Sequence, residues 1–209
     1  MNAMVTLASP SVGTSVRAAS AAVLDPAALS VSLQLMGSQA LLFYRLDEEE
    51  CARRTRVSAT RLDSLDALQT LLELPVDEPV DLASLPARLR AAVRRLPAGA
   101  ADVDCREVTR RAVRPLTIDL AVVRASAAGW RGGLEQAGRF APFCRRALLL
   151  DSAPPAAEEM LMEAAFYGIG VLAADGESVD MLLEPRPYIP RRHTPAAWCF
   201  IEEFHHRIG

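Results

Sequence analysis

Residues 147–187, ALLLDSAPPAAEEMLMEAAFYGIGVLAADGESVDMLLEPRP, decide the reading of the fold. Ala147-Leu148-Leu149-Leu150 is a continuous apolar run of strand length that ends at Asp151, the pattern of a strand covered on both faces. Pro154 and Pro155 then introduce a predicted helix from Ala156 to Tyr167, since proline suits a first helical turn, and Gly168 stops it. Ile169 to Ala173 reads as a second short buried strand, Asp175-Gly176 as a tight turn and Val179 to Leu183 as a last strand. Pro185, Pro187 and Pro190 make a stiff exit, after which Thr194 as cap and Pro195 as first residue open a C-terminal helix to Arg207.

Working back toward the N-terminus, Gly129 to Phe140 reads as a helix. Val103, Cys105, Val108, Val113, Ile118, Leu120, Val122 and Val123 favour strands, with Arg114-Pro115 at the expected corner of a hairpin. Upstream the period lengthens. Leu82, Leu85, Leu89, Val93 and Leu96 keep a helical spacing opened by Asp81, and Ser64 caps a helix bearing Leu65, Leu68, Leu71 and Leu72. Residues 39–54 read as helical, with Ala40, Phe43 and Tyr44 on one side and Asp47-Glu48-Glu49-Glu50 on the other. Asp25-Pro26 reads as a helix start followed by Leu29, Leu33 and Met36. Residues 1–24 are small and polar and are expected to form a disordered arm. The expected class is therefore α/β, a central mixed β-sheet flanked by helices with a helical N-terminal region. The expected segments are the arm 1–24, the helical region 25–81, the α/β core 82–187 and the C-terminal helix 188–209.

Of the 209 residues, 51% are hydrophobic and 23% charged, which excludes global disorder. No stretch of 18 consecutive apolar residues occurs, so no membrane span is expected. All 23 basic residues are arginine. That excludes mechanisms built on a lysine: the phosphate-loop Lys, a Schiff base, or the lysine of a metal nuclease site. Cys51, Cys105, Cys144 and Cys199 lie at least 39 residues apart, without the close pairs of a structural zinc site. With no secretory signal legible, a cytoplasmic protein with reduced thiols is expected. The net charge is −3, but residues 88–146 carry 13 arginines against 5 acids, between acidic flanks. Such a block is either an anion-binding face or a set of arginines that pair with the flanking acids on folding.

Several strings are similar to the PD-(D/E)XK, or restriction-endonuclease-like, nuclease superfamily. Trp130-Arg131-Gly132-Gly133-Leu134-Glu135-Gln136-Ala137 resembles the helix after the catalytic strand in many bacterial members. Gln136 and Phe140 resemble the Gln-x-x-x-Tyr pair of the RecB-like branch, with Phe for Tyr. Leu148-Leu149-Leu150, Gly168-Ile169-Gly170-Val171-Leu172 and Val179 to Pro187 look like the second half of that core. The resemblance implies a restriction-endonuclease-like core over residues 82–187. It also implies a site in which an Asp and a Glu hold Mg²⁺ beside a Lys, on adjoining strands. Ile118-Asp119-Leu120 resembles the first carboxylate position, and the Glu-x-Lys position falls on Val122-Val123-Arg124. Valine binds no metal, and arginine gives up no proton near neutral pH. The vestigial site therefore comprises Asp119, Arg124 and Gln136, with Asp119 and Arg124 expected to form an ion pair.

Two further motifs were weighed. Gly168 to Ala173 fits G-x-G-x-x-A, but its glycines leave a helix and enter a strand, the reverse of a dinucleotide site. Glu202, His205 and His206 lie on neighbouring helix faces and would need further metal ligands from elsewhere. The remaining candidate is a phosphate-binding set, Arg94, Arg95, Arg106, Arg110, Arg111 and Arg114. The expected function is a non-catalytic, regulatory nuclease-like module that contacts a nucleic acid through these arginines, or a protein, including a second copy of itself, with no cofactor. One alternative is an active Mg²⁺-dependent DNA nuclease in which Asp102, Asp104 or Glu107 joins Asp119. The other is an interaction scaffold without anion binding.

Overall fold

A computed structural model describes residues 10–152, 157–176, 178–190 and 193–209. In chain order the elements are α1 (Pro10–Ala19), β1 (Leu29–Leu35), β2 (Ser38–Leu46), α2 (Glu48–Arg56), α3 (Leu65–Leu72), β3 (Pro79–Asp81), α4 (Ala87–Val93), β4 (Ala101–Val103) and β5 (Glu107–Arg110). There follow β6 (Leu116–Ala125), α5 (Trp130–Gly138), β7 (Arg145–Leu150), α6 (Ala157–Tyr167), β8 (Gly170–Asp175), β9 (Ser178–Leu183) and α7 (Pro195–Ile208). The chain divides into two compact units, residues 1–45 with 118–189 and residues 46–117 with 190–209. No helix among the described residues is long and apolar enough to cross a membrane.

The first unit is built on a six-stranded mixed sheet of order β1-β2-β6-β7-β8-β9. β6, β7 and β8 run parallel, and β1/β2 and β8/β9 are antiparallel. The parallel strands are apolar through Leu120–Val123, Ala147–Leu150 and Val171–Ala173 because helices cover both faces. Leu120, Val122, Ala147, Leu149 and Leu172 pack with Val12 and Val16 of α1, together with Leu41 and Phe43 of β2. On the opposite face α5 lies so close that a Cβ on Gly133 would meet the Leu148 and Ala125 side chains. Gly168 ends α6 at φ +69°, in the helix-stop role expected of it.

Several expectations are corrected. Residues 10–24 are not a disordered arm: they form α1 and a following turn, with Val12, Val16, Ser20 and Leu24 buried. Residues 29–46, expected helical, are the hairpin β1/β2 in the register Leu35↔Ser38. Met36 (φ +55°) and Gly37 (φ +74°) make its two-residue turn, and two successive positive φ values match the right-handed twist of the strands. The helix expected from Asp81 begins only after Pro86, because a proline inside it would remove a hydrogen bond and clash with the preceding turn. Arg114-Pro115 is not a hairpin corner, since β5 and β6 belong to different sheets. Residues 82–115 accordingly lie outside the large sheet. The helix expected from Ala156 is seen from Ala157, and Pro154 and Pro155 lie outside the described residues.

The second unit carries the small antiparallel sheet β3-β5-β4 and two apolar clusters. Thr194 caps α7, Pro195 stands in its first turn, and Trp198, Ile201 and Phe204 are buried on one face.

Gly133 and its neighbour Gly132 offer a paired test. Gly133→Ala places a methyl 2.5 Å from Leu148 Cδ1 and 2.7 Å from Ala125 Cβ, and is expected to destabilise the protein by about 1–3 kcal/mol through overpacking. Gly132→Ala meets nothing within 4 Å and is expected to stabilise by about 0.5–1 kcal/mol through helix propensity. Urea unfolding midpoints of the two variants should move in opposite directions.

Candidate functional site

Asp119 lies near the start of β6 with its side chain only 10% exposed. Its carboxylate accepts two hydrogen bonds from Arg45, at the end of β2: Nε to Oδ2 at 3.0 Å and Nη2 to Oδ1 at 2.9 Å. The third guanidinium nitrogen, Nη1, is 3.4 Å from Asp25 Oδ2. Hydrogen bonding to Asp119 raises the Arg45 pKa above its ordinary value, outweighing the opposing effect of partial burial. The guanidinium thus stands between two carboxylates.

The other two members of the expected vestigial site do not join it. Arg124 is five residues further along β6, about 16 Å at strand rise, so the expected Asp119–Arg124 pair does not form. Gln136 is half-buried on α5, whose buried residues are Trp130, Gly133, Leu134 and Ala137. The strand does run into the Trp130 helix through a short 3₁₀ turn, as the motif order implied. Asp102, Asp104 and Glu107 belong to the second unit and its small sheet. Asp102 pairs with Arg111, while Asp104 accepts the backbone N–H groups of Arg106 and Glu107, which depress its pKa. Among the described residues no three His, Cys, Asp or Glu side chains are grouped to hold a metal ion.

The six candidate phosphate-binding arginines divide by environment. Arg110 is half-buried, lies over the Trp198 ring at 4.9 Å and donates to the carbonyls of Ala112, Leu71 and Leu74. Arg111 bridges Asp77 at 2.9 Å and Asp102 at 2.7 Å. Arg114 is half-buried. Arg94, Arg95 and Arg106 are exposed. Arg95 shares a cleft of about 330 Å³ with Arg88, Asp66 and Glu73, so the arginine charge there is matched by acid. The set forms no uniform basic face.

The densest polar cluster was not foreseen. Asp47 caps α2 by accepting from Glu50 N–H, and that geometry turns Glu50 inward, where its side chain is 2% exposed. Glu50 accepts from Arg53 Nε at 2.6 Å and Arg54 Nε at 2.7 Å. Arg54 continues to both oxygens of Glu202, itself 2% exposed, at 2.7 and 2.8 Å, and Trp198 Nε1 also donates to Glu202. Burial alone would raise the Glu50 pKa, but the two arginines outweigh it and the carboxyl lies below its ordinary range. His205 is lowered, first by burial and then by Arg54, and its Nε2 is 3.7 Å from Cys51 Sγ. The Cys51 thiol is raised by burial, so this pair rests neutral and supplies no activated nucleophile. A mixed-charge cleft of about 610 Å³ adjoins the cluster, lined by Glu49, Arg56, Asp77, Asp102 and Arg111 among others. The run Asp47-Glu48-Glu49-Glu50 followed by Arg53-Arg54 was the available signal, since acid–arginine spacings of three and four pair on a helix.

No protein-family model matches the chain, and neither a curated protein nor a solved structure matches it.

The ionic cluster makes stability depend on charge and pH. Glu202→Gln removes a buried carboxylate and leaves Arg54 underpaired; the expected loss is about 3 kcal/mol. Glu203→Gln breaks only the half-exposed pairs with Arg61 and Arg207, with an expected loss within about 1 kcal/mol. The His205 pKa is lower folded than unfolded, so its contribution is full above the ordinary histidine value and is lost as pH falls through the folded one. Glu50 adds a loss in the same direction in the carboxylate range. Urea midpoints at pH 7.5 and 5.5 should therefore decrease with acidification, and His205→Gln should flatten that difference.

Proposed function

We propose that this chain is a non-catalytic, nuclease-like binding module that acts through a protein partner, with a restriction-endonuclease-like core in its first unit. The observation that carries this reading is the Arg45 guanidinium held between Asp119 and Asp25. On this reading the Arg45 guanidinium takes the position where the superfamily's chemistry needs Mg²⁺, and arginine neither deprotonates nor polarises a water as a metal does. The reading matches Val122, Val123 and Arg124, on the strand that leads to the Trp130 helix, to the position of the second acid and the lysine. Support for the core comes from the order strand, helix, strand, helix, strand over β6 to β8 in a mixed sheet covered on both faces.

A protein partner is favoured over a nucleic acid by charge. The first unit carries 8 arginines against 11 acids, and a net negative body disfavours a polyanion. In the second unit Arg110 is held by carbonyls and Arg111 by two acids.

Mg²⁺ titrated into the protein by calorimetry is expected to give no binding heat, and supercoiled plasmid incubated with protein and Mg²⁺ is expected to stay intact. Metal-dependent cleavage that disappears in Asp119→Ala would overturn the proposal. Duplex DNA should also fail to be retained at low salt in a filter assay, and retention lost in Arg94→Ala/Arg95→Ala would restore the nucleic-acid reading.

A further inference from the structure

The C-terminal end of α6 brings two features together. It exposes large apolar side chains in a group: Phe166 is 77% exposed, Met162, one turn earlier, 63%, and Tyr167 51%. The Phe166 and Tyr167 rings meet edge to face at 5.1 Å, which fixes their orientation. Beyond them Ile189 is 76% exposed, on a segment tied back by the Tyr188 hydroxyl donating to the Pro142 carbonyl.

The second feature is a pair of arginines without acids. Arg146 Nη2 donates to the Tyr167 carbonyl at 2.5 Å, and Arg186 Nη2 donates to the Ala165 carbonyl at 3.3 Å. The two acceptors flank Phe166, so a guanidinium reaches the backbone on either side of that ring. Neither arginine has a carboxylate within salt-bridge distance among the described residues. Arg146 Nε is buried with no hydrogen-bond acceptor among the described residues. Burial lowers the Arg146 pKa, and the nearby positive charge of Arg186 lowers it further. Both groups stay charged, since no arginine deprotonates in a protein. The end of a helix supplies only about half a negative charge to two full positive ones, so an unneutralised positive charge remains beside the apolar group.

We infer that this end of α6 is the docking face for a protein segment that presents an aromatic or aliphatic side chain beside carboxylates. The apolar side chain covers Phe166 and Met162, and the carboxylates pair with Arg146 and Arg186. A carboxylate matches a guanidinium fork in charge and geometry. Aromatic and Met surface next to Arg is also the composition enriched at protein interfaces. The inference rests on reading the chain as a module that acts through a protein partner, and it adds the surface and the chemistry of the bound segment.

The test is selection from a library of short random peptides displayed on phage, using the full chain. The enriched peptides should carry Asp or Glu next to Phe, Trp, Leu or Ile. A synthetic copy of the most enriched sequence, followed by fluorescence anisotropy, should bind at least about tenfold more weakly to Phe166→Ser and to Arg186→Glu. Replacing its acids by Lys should abolish binding to the original protein and restore it to Arg186→Glu. Thermal melts of both variants guard against unfolding. The inference is overturned if no sequence is enriched, if enrichment shows no excess of acids, if neither variant weakens the peptide, or if oligothymidylate displaces it at low salt. Mg²⁺-dependent cleavage together with acidic-peptide selection would end the non-catalytic reading and leave this face standing. An intact plasmid without peptide enrichment would do the opposite.

Discussion

Every cation in this protein other than a protonated histidine or the chain's own amino terminus is a guanidinium, and that constraint organises the structure. A guanidinium is planar, permanently charged and furnished with five donors, so one placed inside a fold must meet acceptors. Arg54 meets Glu50, Glu202 and the Val113 carbonyl. Arg110 meets three carbonyls and the Trp198 ring. Arg45 meets Asp119 and Asp25. A lysine at any of these positions could shed its proton or swing to solvent. An arginine instead locks the elements it joins.

The same constraint bears on chemistry. In the first unit the Asp119 carboxylate is tied to a guanidinium, and in the second the two most buried carboxylates are tied to two more. Acids consumed in this way are structural, and the thiol–imidazole pair beside them is neutral because burial opposes both charged forms. The Cys144 thiol, pushed up to about 12 by burial, is inert for the same reason. Arg146 and Arg186 instead donate to backbone carbonyls beside an exposed apolar surface.

The two units also show how a local signal can mislead. Leu29, Leu33 and Met36 are spaced as on a helix, and Asp25-Pro26 supplies a helix start, yet Leu29, Val31, Leu33 and Leu35 alternate as in a strand. Both periods fit the same stretch. Pairing with β2 resolves the ambiguity, because the Met36-Gly37 turn sets a register in which seven residues of β1 pair with seven of β2, most of the latter buried. Likewise Val12 and Val16 looked unremarkable in a small, polar stretch. They fold as α1 because the sheet offers an apolar surface for them to cover.

The amino-acid sequence by itself determined the elements whose signals are local and unopposed. These include the short apolar strands at 147–150 and 169–173, the helix stop at Gly168, the capped helix after Ser64, the Thr194-Pro195 helix start, and the strand that leads into Trp130. It also determined that no lysine could serve at any site. The tertiary structure alone decided that residues 29–46 pair as a hairpin, that residues 47–115 lie outside the large sheet, and that Asp119 takes Arg45 rather than Arg124 as its partner. The physical reason is range. Caps, turns and helix stops involve residues a few positions apart, whereas strand pairing and ion pairs join residues such as 45 and 119, whose meeting follows only from the closed packing of the whole unit.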